Sequence, residues 1–297
     1  MNILFTGATG FIGSHFIRQF PQHDYTVLTR SPQRAARLLP GNIKFIASLS
    51  ELESLDGFDA VINLCGEPIV DKRWSPKQKD IICQSRWQPT SELVDLFGRS
   101  EQPPATFISG SAIGFYGDTG DRKTSEDNAP LSQDFAYTVC DQWEQRARRA
   151  ADKTRLVILR TGVVLGRDGG ALKKMLPPFK WGVGGRVGSG QQYMSWIHIE
   201  DMVEAIHYLL NSPEASGVFN LTAPDAVQND TFTNALANAM HTKPRLPVPE
   251  TLLRLMLGES ADLLLNSQRI YPKRLLAAGY KFHFPDVNGA LADVLAS

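Results

Sequence analysis

The sequence predicts an α/β fold, a doubly wound parallel sheet with a smaller, mostly helical substrate-side part. Three observations predict it. Short apolar runs alternate with helical-period segments through the first half of the chain. A glycine turn, Gly7-Ala8-Thr9-Gly10-Phe11-Ile12-Gly13, joins the first run to the first helix. The second half then loses the alternation and becomes rich in glycine, proline and helical segments.

The elements follow in order. Ile3-Leu4-Phe5 is a short buried strand, and Phe11, Ile12, Phe16 and Ile17 recur at helical spacing behind the turn. Residues 25–29 read as the second strand. Residues 32–39 read as a helix opened by Ser31, with Pro32 in its first turn. Residues 43–46 are a third strand and 59–63 a fourth, and Ser75-Pro76 opens a long helix reaching about Phe97. A fifth strand spans 105–109, a polar loop spans 117–130, and a helix runs over about 134–151 into a sixth strand at 156–160. Repeated βα units of this kind build a Rossmann-type sheet with helices on both faces.

Beyond it, Pro177-Pro178 and the glycines of 182–190 predict an irregular stretch. Trp196-Ile197-His198-Ile199 reads as strand, 200–210 as helix, and 218–221 as a strand returning to the sheet. From about Ala226 the chain reads as mostly helical, punctuated by Pro244, Pro247, Pro249, Pro272 and Pro285. The expected division is a nucleotide-binding domain over 1–165, completed by about 200–222. Residues 166–199 and 223–297 then form the substrate-side and C-terminal helical region.

Charge and composition narrow the function. The 297 residues carry 31 basic and 31 acidic side chains, so no global field favours nucleic acid or an anionic membrane. No apolar stretch approaches the ~20 residues that cross a bilayer, and Asn2 leads into a core strand rather than a signal segment. The 3 cysteines, Cys65, Cys83 and Cys140, lack metal or disulfide spacing. The expectation is a soluble cytoplasmic protein, monomer or homodimer, whose partner is a small-molecule substrate.

A glycine turn between a strand and a helix leaves backbone N–H groups at a positive dipole end, where a pyrophosphate binds. That makes Gly7, Thr9, Gly10, Phe11, Ile12 and Gly13 candidate cofactor contacts. The second strand ends at Thr29 without the acid that would bind a free ribose 2′-hydroxyl. Arg30 and Ser31 follow instead and suit a 2′-phosphate, so the expected cofactor is NADP(H) rather than NAD(H). Asn63-Leu64-Cys65-Gly66 leaves the fourth strand with small residues that let backbone approach the cofactor ribose. Ser109 and Ser111 stand at the C-terminal edge of the fifth strand, where open α/β sheets place ligands.

The run Thr6–Gly13, with Asn63-Leu64-Cys65-Gly66, Ser109-Gly110-Ser111-Ala112 and Tyr116-Gly117-Asp118, resembles the extended short-chain dehydrogenase/reductases, the NAD(P)-dependent epimerase/dehydratase family. Further segments are similar to an atypical subgroup of it, the YfcH-type epimerase family proteins. They are Asp71-Lys72-Arg73-Trp74, Ser85-Arg86, Trp143-Glu144, Arg160-Thr161-Gly162-Val163-Val164-Leu165-Gly166, Asp168-Gly169-Gly170, Gly188-Ser189-Gly190-Gln191 and Ser195-Trp196-Ile197-His198. The tail from about Leu246 resembles that subgroup's small C-terminal domain.

The resemblance implies a proton-transferring tyrosine with a lysine one helical turn later, whose charge lowers the phenol pKa. This chain departs from that pattern. Tyr137 is followed at the fourth position by Asp141, which raises a phenol pKa. Aligning Glu144 with the family's usual acid puts Cys140 at the lysine position and Ala136 at the tyrosine position. Three readings stay open at this point. A reductase or epimerase can use Tyr116, Tyr137 or Glu67 as its acid, with Ser111 holding the substrate oxygen. A binding-only protein can sense NADP(H) or act as a scaffold without turnover. A substrate can also supply its own acid–base group.

The remaining candidates each have two readings. Arg160 ends the sixth strand and needs a cofactor or substrate anion, or else a carboxylate of the protein. Glu67 and Arg86 suit a polar pocket near the nicotinamide, or surface ion pairing. Residues 182–191 suit a loop over the ligand or a plain connector. Met175, Pro177 and Phe179 suit an apolar wall or core. His198 has no second histidine at ligand spacing and reads as structural.

Overall fold

The computed structural model describes residues 1–41, 43–243 and 246–296. Its first half alternates β1 (Asn2–Thr6), α1 (Phe11–Gln19), β2 (Asp24–Leu28), α2 (Pro32–Leu38), β3 (Ile43–Ile46), β4 (Ala60–Asn63), α3 (Pro76–Arg99), β5 (Thr106–Ala112), α4 (Phe135–Arg148) and β6 (Arg155–Thr161). There follow β7 (Val163–Leu165), α5 (Leu172–Lys180), β8 (Tyr193–Met194), β9 (Trp196–His198), α6 (Ile199–Leu210) and β10 (Gly217–Leu221). The tail holds β11 (Val227–Gln228), α7 (Asn229–Ala239), α8 (Glu250–Leu257), α9 (Asp262–Leu265), α10 (Lys273–Ala277) and α11 (Val287–Ala296).

Seven strands form one parallel sheet in the order β3-β2-β1-β4-β5-β6-β10. This is the Rossmann-type order, and its direction reverses between β1 and β4, so the ligand crevice opens there at the strands' C-terminal ends. Both faces of the sheet are covered. Ile3 and Phe5 of β1 join Phe16, Ile17, Met202 and Ile206 of α1 and α6 in one core. Leu4, between them, points the other way, to Leu93 and Phe97 of α3 and Phe107. A strand apolar on both faces must be sandwiched, which is why β1 reads as a continuous apolar run.

Two features differ from the sequence expectation. Pro177 and Pro178 lie inside α5 rather than in an irregular stretch. Leu172, Leu176 and Phe179 line one face of that short helix and are buried with Trp196, Phe232 and Leu291. Burial of this face outweighs the missing proline N–H groups. Residues 163–165 also leave the main sheet to pair in parallel with β9, a second small sheet that the motif around Gly162 conceals. Pro244, read as one of the breaks in the tail, lies outside the described residues.

The tail is bound to the sheet domain by named polar contacts. The buried Asp201 carboxylate of α6 accepts from His283 N (2.8 Å), Phe284 N (2.9 Å) and the Tyr280 hydroxyl (3.0 Å). His198 is structural: its Nδ1 accepts from Glu200 N at 3.2 Å, and its Nε2 lies 3.3 Å from the Asp293 carboxylate. Burial holds its pKa below the usual imidazole value. The polar loop after β5 is pinned by Thr119 N to Ser267 O (2.7 Å) and Tyr271 N to Thr124 O (2.7 Å). Among the described residues no helix is long and apolar enough to cross a membrane.

Candidate cofactor and active site

The glycine turn sits at the reversal point of the sheet. Gly7 has φ +80°, and a Cβ there would lie 2.5 Å from the backbone of Leu64, at the exit of β4. A Cβ on Gly13 would lie 2.6 Å from Gly7 O and Ala8 Cα. The two glycines therefore let β1, its turn, α1 and the β4 exit pack backbone to backbone. Gly10 caps α1 in extended backbone with no side-chain hydrogen bond, and Thr9 and Gly10 are exposed. The first N–H groups of this nine-residue helix thus face outward without a side-chain cap. Phe11 and Ile12 are half-buried, and the Phe11 ring packs under Gly169, whose added Cβ would meet it at 2.4 Å.

Arg30 and Ser31 are exposed at the end of β2, and Arg30 forms no ion pair among the described residues. The cation is free for a phosphate. Asn63 is fully buried at the end of β4 and committed internally. Its Oδ1 accepts from the Thr6 hydroxyl (2.6 Å) and the Cys65 thiol (2.9 Å), and its Nδ2 donates to Thr90 Oγ1 (2.8 Å). Trp143 Nε1 donates to the same Thr90 oxygen at 3.0 Å. Asn63 thus shapes the loop 64–66 from beneath, and Leu64 N ties that loop to Thr6 O (2.9 Å). Burial pushes the Cys65 thiol up to about 11, so it is a neutral wall.

Behind β5 lies a buried ionic cluster. Arg160 gives Nε and Nη2 to the two oxygens of Glu144 at 2.7 and 2.8 Å. Ser111 Oγ donates to Glu144 Oε1 at 2.8 Å, and Arg148 reaches Oε2 at 3.2 Å. The Arg160 guanidinium lies 3.4 Å from the Phe115 ring centroid. Burial works against its charge, but its hydrogen bonds to Glu144 more than offset that and raise its pKa. The expectation that Arg160 contacts the cofactor is therefore corrected: its fork is filled by Glu144, the carboxylate alternative.

The phenols separate. Tyr116 is fully buried and donates to Asn220 Oδ1 at 2.8 Å, and burial raises its pKa. As a candidate acid it is corrected to a core tyrosine. Tyr137 stays partly exposed, its ring 5.5 Å from Phe115. Desolvation and then Asp141 raise its pKa, in the direction the sequence implied. Glu67 is half-buried and its Oε1 pairs with Lys72 at 3.0 Å. Ser109 is fully buried, and its hydroxyl has no hydrogen-bond partner among the described residues.

Ala136 and Cys140, the residues that an alignment on Glu144 puts at the tyrosine and lysine positions, pack against Gly114, with the Ala136 Cβ 3.1 Å and the Cys140 Sγ 3.7 Å from a Cβ built there. Burial pushes the Cys140 thiol up to about 12, which excludes a thiolate nucleophile near neutral pH. In the sequence Glu144 stands out only within the Trp143-Glu144 motif and as an alignment marker; its role comes from Arg160, 16 residues away, which the fold brings to it.

Residues 3–222 match the NAD dependent epimerase/dehydratase family, and residues 248–294 match a domain of unknown function. An Arabidopsis thaliana chloroplastic homolog of the epimerase family protein SDR39U1 is 39% identical, over 99% of this chain and 87% of that protein. The epimerase family protein SAR0825 of Staphylococcus aureus is 36% identical, over 99% of this chain and 98% of that protein. The crystal structure of human SDR39U1 with NADPH superposes with a TM-score of 0.92 at 33% identity, covering 100% of this chain and 99% of that one. Together with the glycine turn and the strand order, these matches identify the chain as a member of the NAD-dependent epimerase/dehydratase family.

Proposed function

We propose that this protein is an NADP(H)-dependent oxidoreductase or epimerase-like enzyme acting on a small hydroxy or keto substrate. The observation that carries the reading is the fit of the glycine turn to a dinucleotide. Gly7 and Gly13 leave no room for a Cβ against Leu64 and Ala8, so the turn packs tightly beneath the exposed Thr9 and Gly10 and the N-terminus of α1, which has no side-chain cap. The α1 N–H groups and Thr9 hold the pyrophosphate, Arg30 and Ser31 take the 2′-phosphate, and Leu64, Cys65 and Gly66 flank the ribose. The NADPH in the human relative supports the same choice. When bound, this cofactor supplies a hydride donor or acceptor at nicotinamide C4.

The chain's own groups then have distinct tasks. Ser111 points its hydroxyl proton at Glu144 in a hydrogen bond, so its oxygen presents lone pairs and accepts from a substrate hydroxyl. Tyr137 stays protonated and donates to a substrate carbonyl oxygen; it is not prepared as a base. Glu67, held by Lys72, orients polar groups at the β4 side. The domain division proposed is the sheet domain over 1–165 with 200–222, covered by the remainder.

The test is a fluorescence titration with NADPH and NADH. Arg30→Ala is expected to weaken NADPH binding about tenfold or more and leave NADH within about twofold. Equal losses for the two cofactors would sink the 2′-phosphate assignment, and saturable NADPH binding without hydride exchange on any carbonyl panel would favour the sensor or scaffold reading.

A further inference from the structure

We propose that residues 67–74, between β4 and α3, form a clasp that closes over the dinucleotide crevice and sets the rate at which the cofactor enters and leaves. The inference rests on the NADP(H) reading above. The motif Asp71-Lys72-Arg73-Trp74 lies in this segment, and each of its four side chains makes a different tie. Lys174 of α5 donates to the Asp71 carboxylate and reaches Val70 O at 3.4 Å. Lys72 pairs with Glu67 at 3.0 Å within the segment. The Arg73 guanidinium lies against Gly258, where a Cβ would sit 2.8 Å from its Nε. Trp74 Nε1 donates to Ile69 O at 2.9 Å, and its ring meets Phe135 of α4 edge-on at 4.8 Å.

These ties join one wall of the crevice to the other. On the β4 side the segment follows Leu64 and Cys65, whose backbone a Cβ on Gly7 would strike. On the α1 side, Lys174 belongs to the first turn of α5, and the chain leading into α5 is seated on the first residue of α1. A Cβ on Gly166, Gly169 or Gly170 would lie 2.6, 2.4 or 3.2 Å from the Phe11 ring. Between the two walls lie the exposed Thr9 and Gly10 and the uncapped N-terminus of α1. The Asp71–Lys174 pair therefore crosses above the place where the pyrophosphate is seated. A second pair holds the tail side. Lys79, in the first turn of α3, meets Glu259 at 2.6 Å, within the 3-10 turn Gly258–Ala261 that Arg73 abuts.

The segment has fixed ends and a loosely held tip. Ile69 and Trp74 pack on the buried Ile82, Cys83 and Val139. Residues 70–73 between them are all exposed and are held by the ties to α5 and to Gly258. Exposed ion pairs each shift an equilibrium by at most about fivefold. A tip with few buried contacts thus opens at low cost, while its apolar ends stay in place. Every tie is between groups of the protein itself, so the same opening precedes entry and exit.

Stopped-flow fluorescence of the full chain measures NADPH association and dissociation in wild type, Lys174→Met, Glu259→Gln and the two combined. Both substitutions lie outside 67–74, and together they leave the net charge unchanged, so long-range attraction of the anionic cofactor is the same. The double variant is expected to speed association and dissociation by one common factor, about threefold to tenfold, with the equilibrium affinity within about twofold. Asp71→Lys/Lys174→Asp, which re-forms the pair with its charges exchanged, is expected to return both rates toward wild type. In tryptic digestion of the free protein, cleavage after Lys72 and Arg73 is expected to quicken several-fold in the double variant. Faster dissociation at an unchanged association rate overturns the proposal, because it makes these side chains ligand contacts rather than latches. Two unchanged rates overturn it as well. A wild-type chain that binds no NADPH refutes the NADP(H) reading, and the digestion then judges the clasp alone: unchanged cleavage in the double variant overturns it.

Discussion

Replacing Glu144 by alanine strands the most enclosed charge of the site. Arg160 is 4% exposed and Glu144 2%, and the carboxylate is the acceptor for both nitrogens of the Arg160 fork. Removing one partner of such a pair leaves a buried guanidinium without compensation, at a cost of about 3–5 kcal/mol. The cation lies against Phe115, which softens the loss but accepts no hydrogen bond from it. For a chain of this size the melting midpoint should fall by about 10 °C. Ser111 also loses its acceptor, so its proton turns toward the substrate side and substrate affinity changes with it. The assay pairs urea unfolding of Glu144→Ala with that of Glu144→Gln/Arg160→Met, in which both charges are gone and the volume is kept. The double variant should be more stable than the single one by about 1–3 kcal/mol, because the penalty belongs to the orphaned charge. A single-variant loss below about 1 kcal/mol, or a double variant no more stable than the single one, would refute the reasoning.

Three further outcomes follow from the same geometry. Gly13→Ala places a methyl 2.6 Å from Gly7 O and should abolish measurable NADPH binding while costing about 1–3 kcal/mol of stability, read by titration and melting. Glu126 is buried, with Oε1 accepting from Asn220 N at 2.8 Å and Oε2 without a hydrogen-bond partner among the described residues, and burial raises its pKa above the ordinary 4.5. Its contribution to stability is therefore full below about 4.5 and is lost as pH rises through the raised folded value. Glu126→Gln should remove that decline, and identical pH profiles for both proteins would count against it. Tyr137→Phe should slow carbonyl reduction about a hundredfold with NADPH affinity retained, measured by stopped-flow; an unchanged chemical step would remove Tyr137 as the donor.

Much of the site was legible because local sequence patterns dictate local geometry. The glycines of residues 7–13 can be read as a cradle since a strand, a turn and a helix are all specified within a few residues of one another. The missing acid after β2 is likewise a local fact, and Arg30 is exposed where the sequence places it. Arg160 and Tyr116 were ambiguous for a different reason. Their partners, Glu144 and Asn220, are 16 and 104 residues away. Whether a charge faces a ligand or a carboxylate depends on which elements meet, and no spacing rule reports that. Pro177 and Pro178 show the same limit in secondary structure, because tertiary burial of Leu172, Leu176 and Phe179 overrides the local breaker signal.

The sequence by itself determined the parallel sheet, the dinucleotide turn and the absence of a tyrosine–lysine pair on α4. These follow from residue identity and short-range periodicity. Only the tertiary structure decided which interior charges are spent. Glu144 closes Arg160, and Asn63 is bound to Thr6 and Thr90. The physical reason is that a buried charge is defined by the partners that long-range packing brings within about 3 Å, and those partners come from helices and strands distant in the chain.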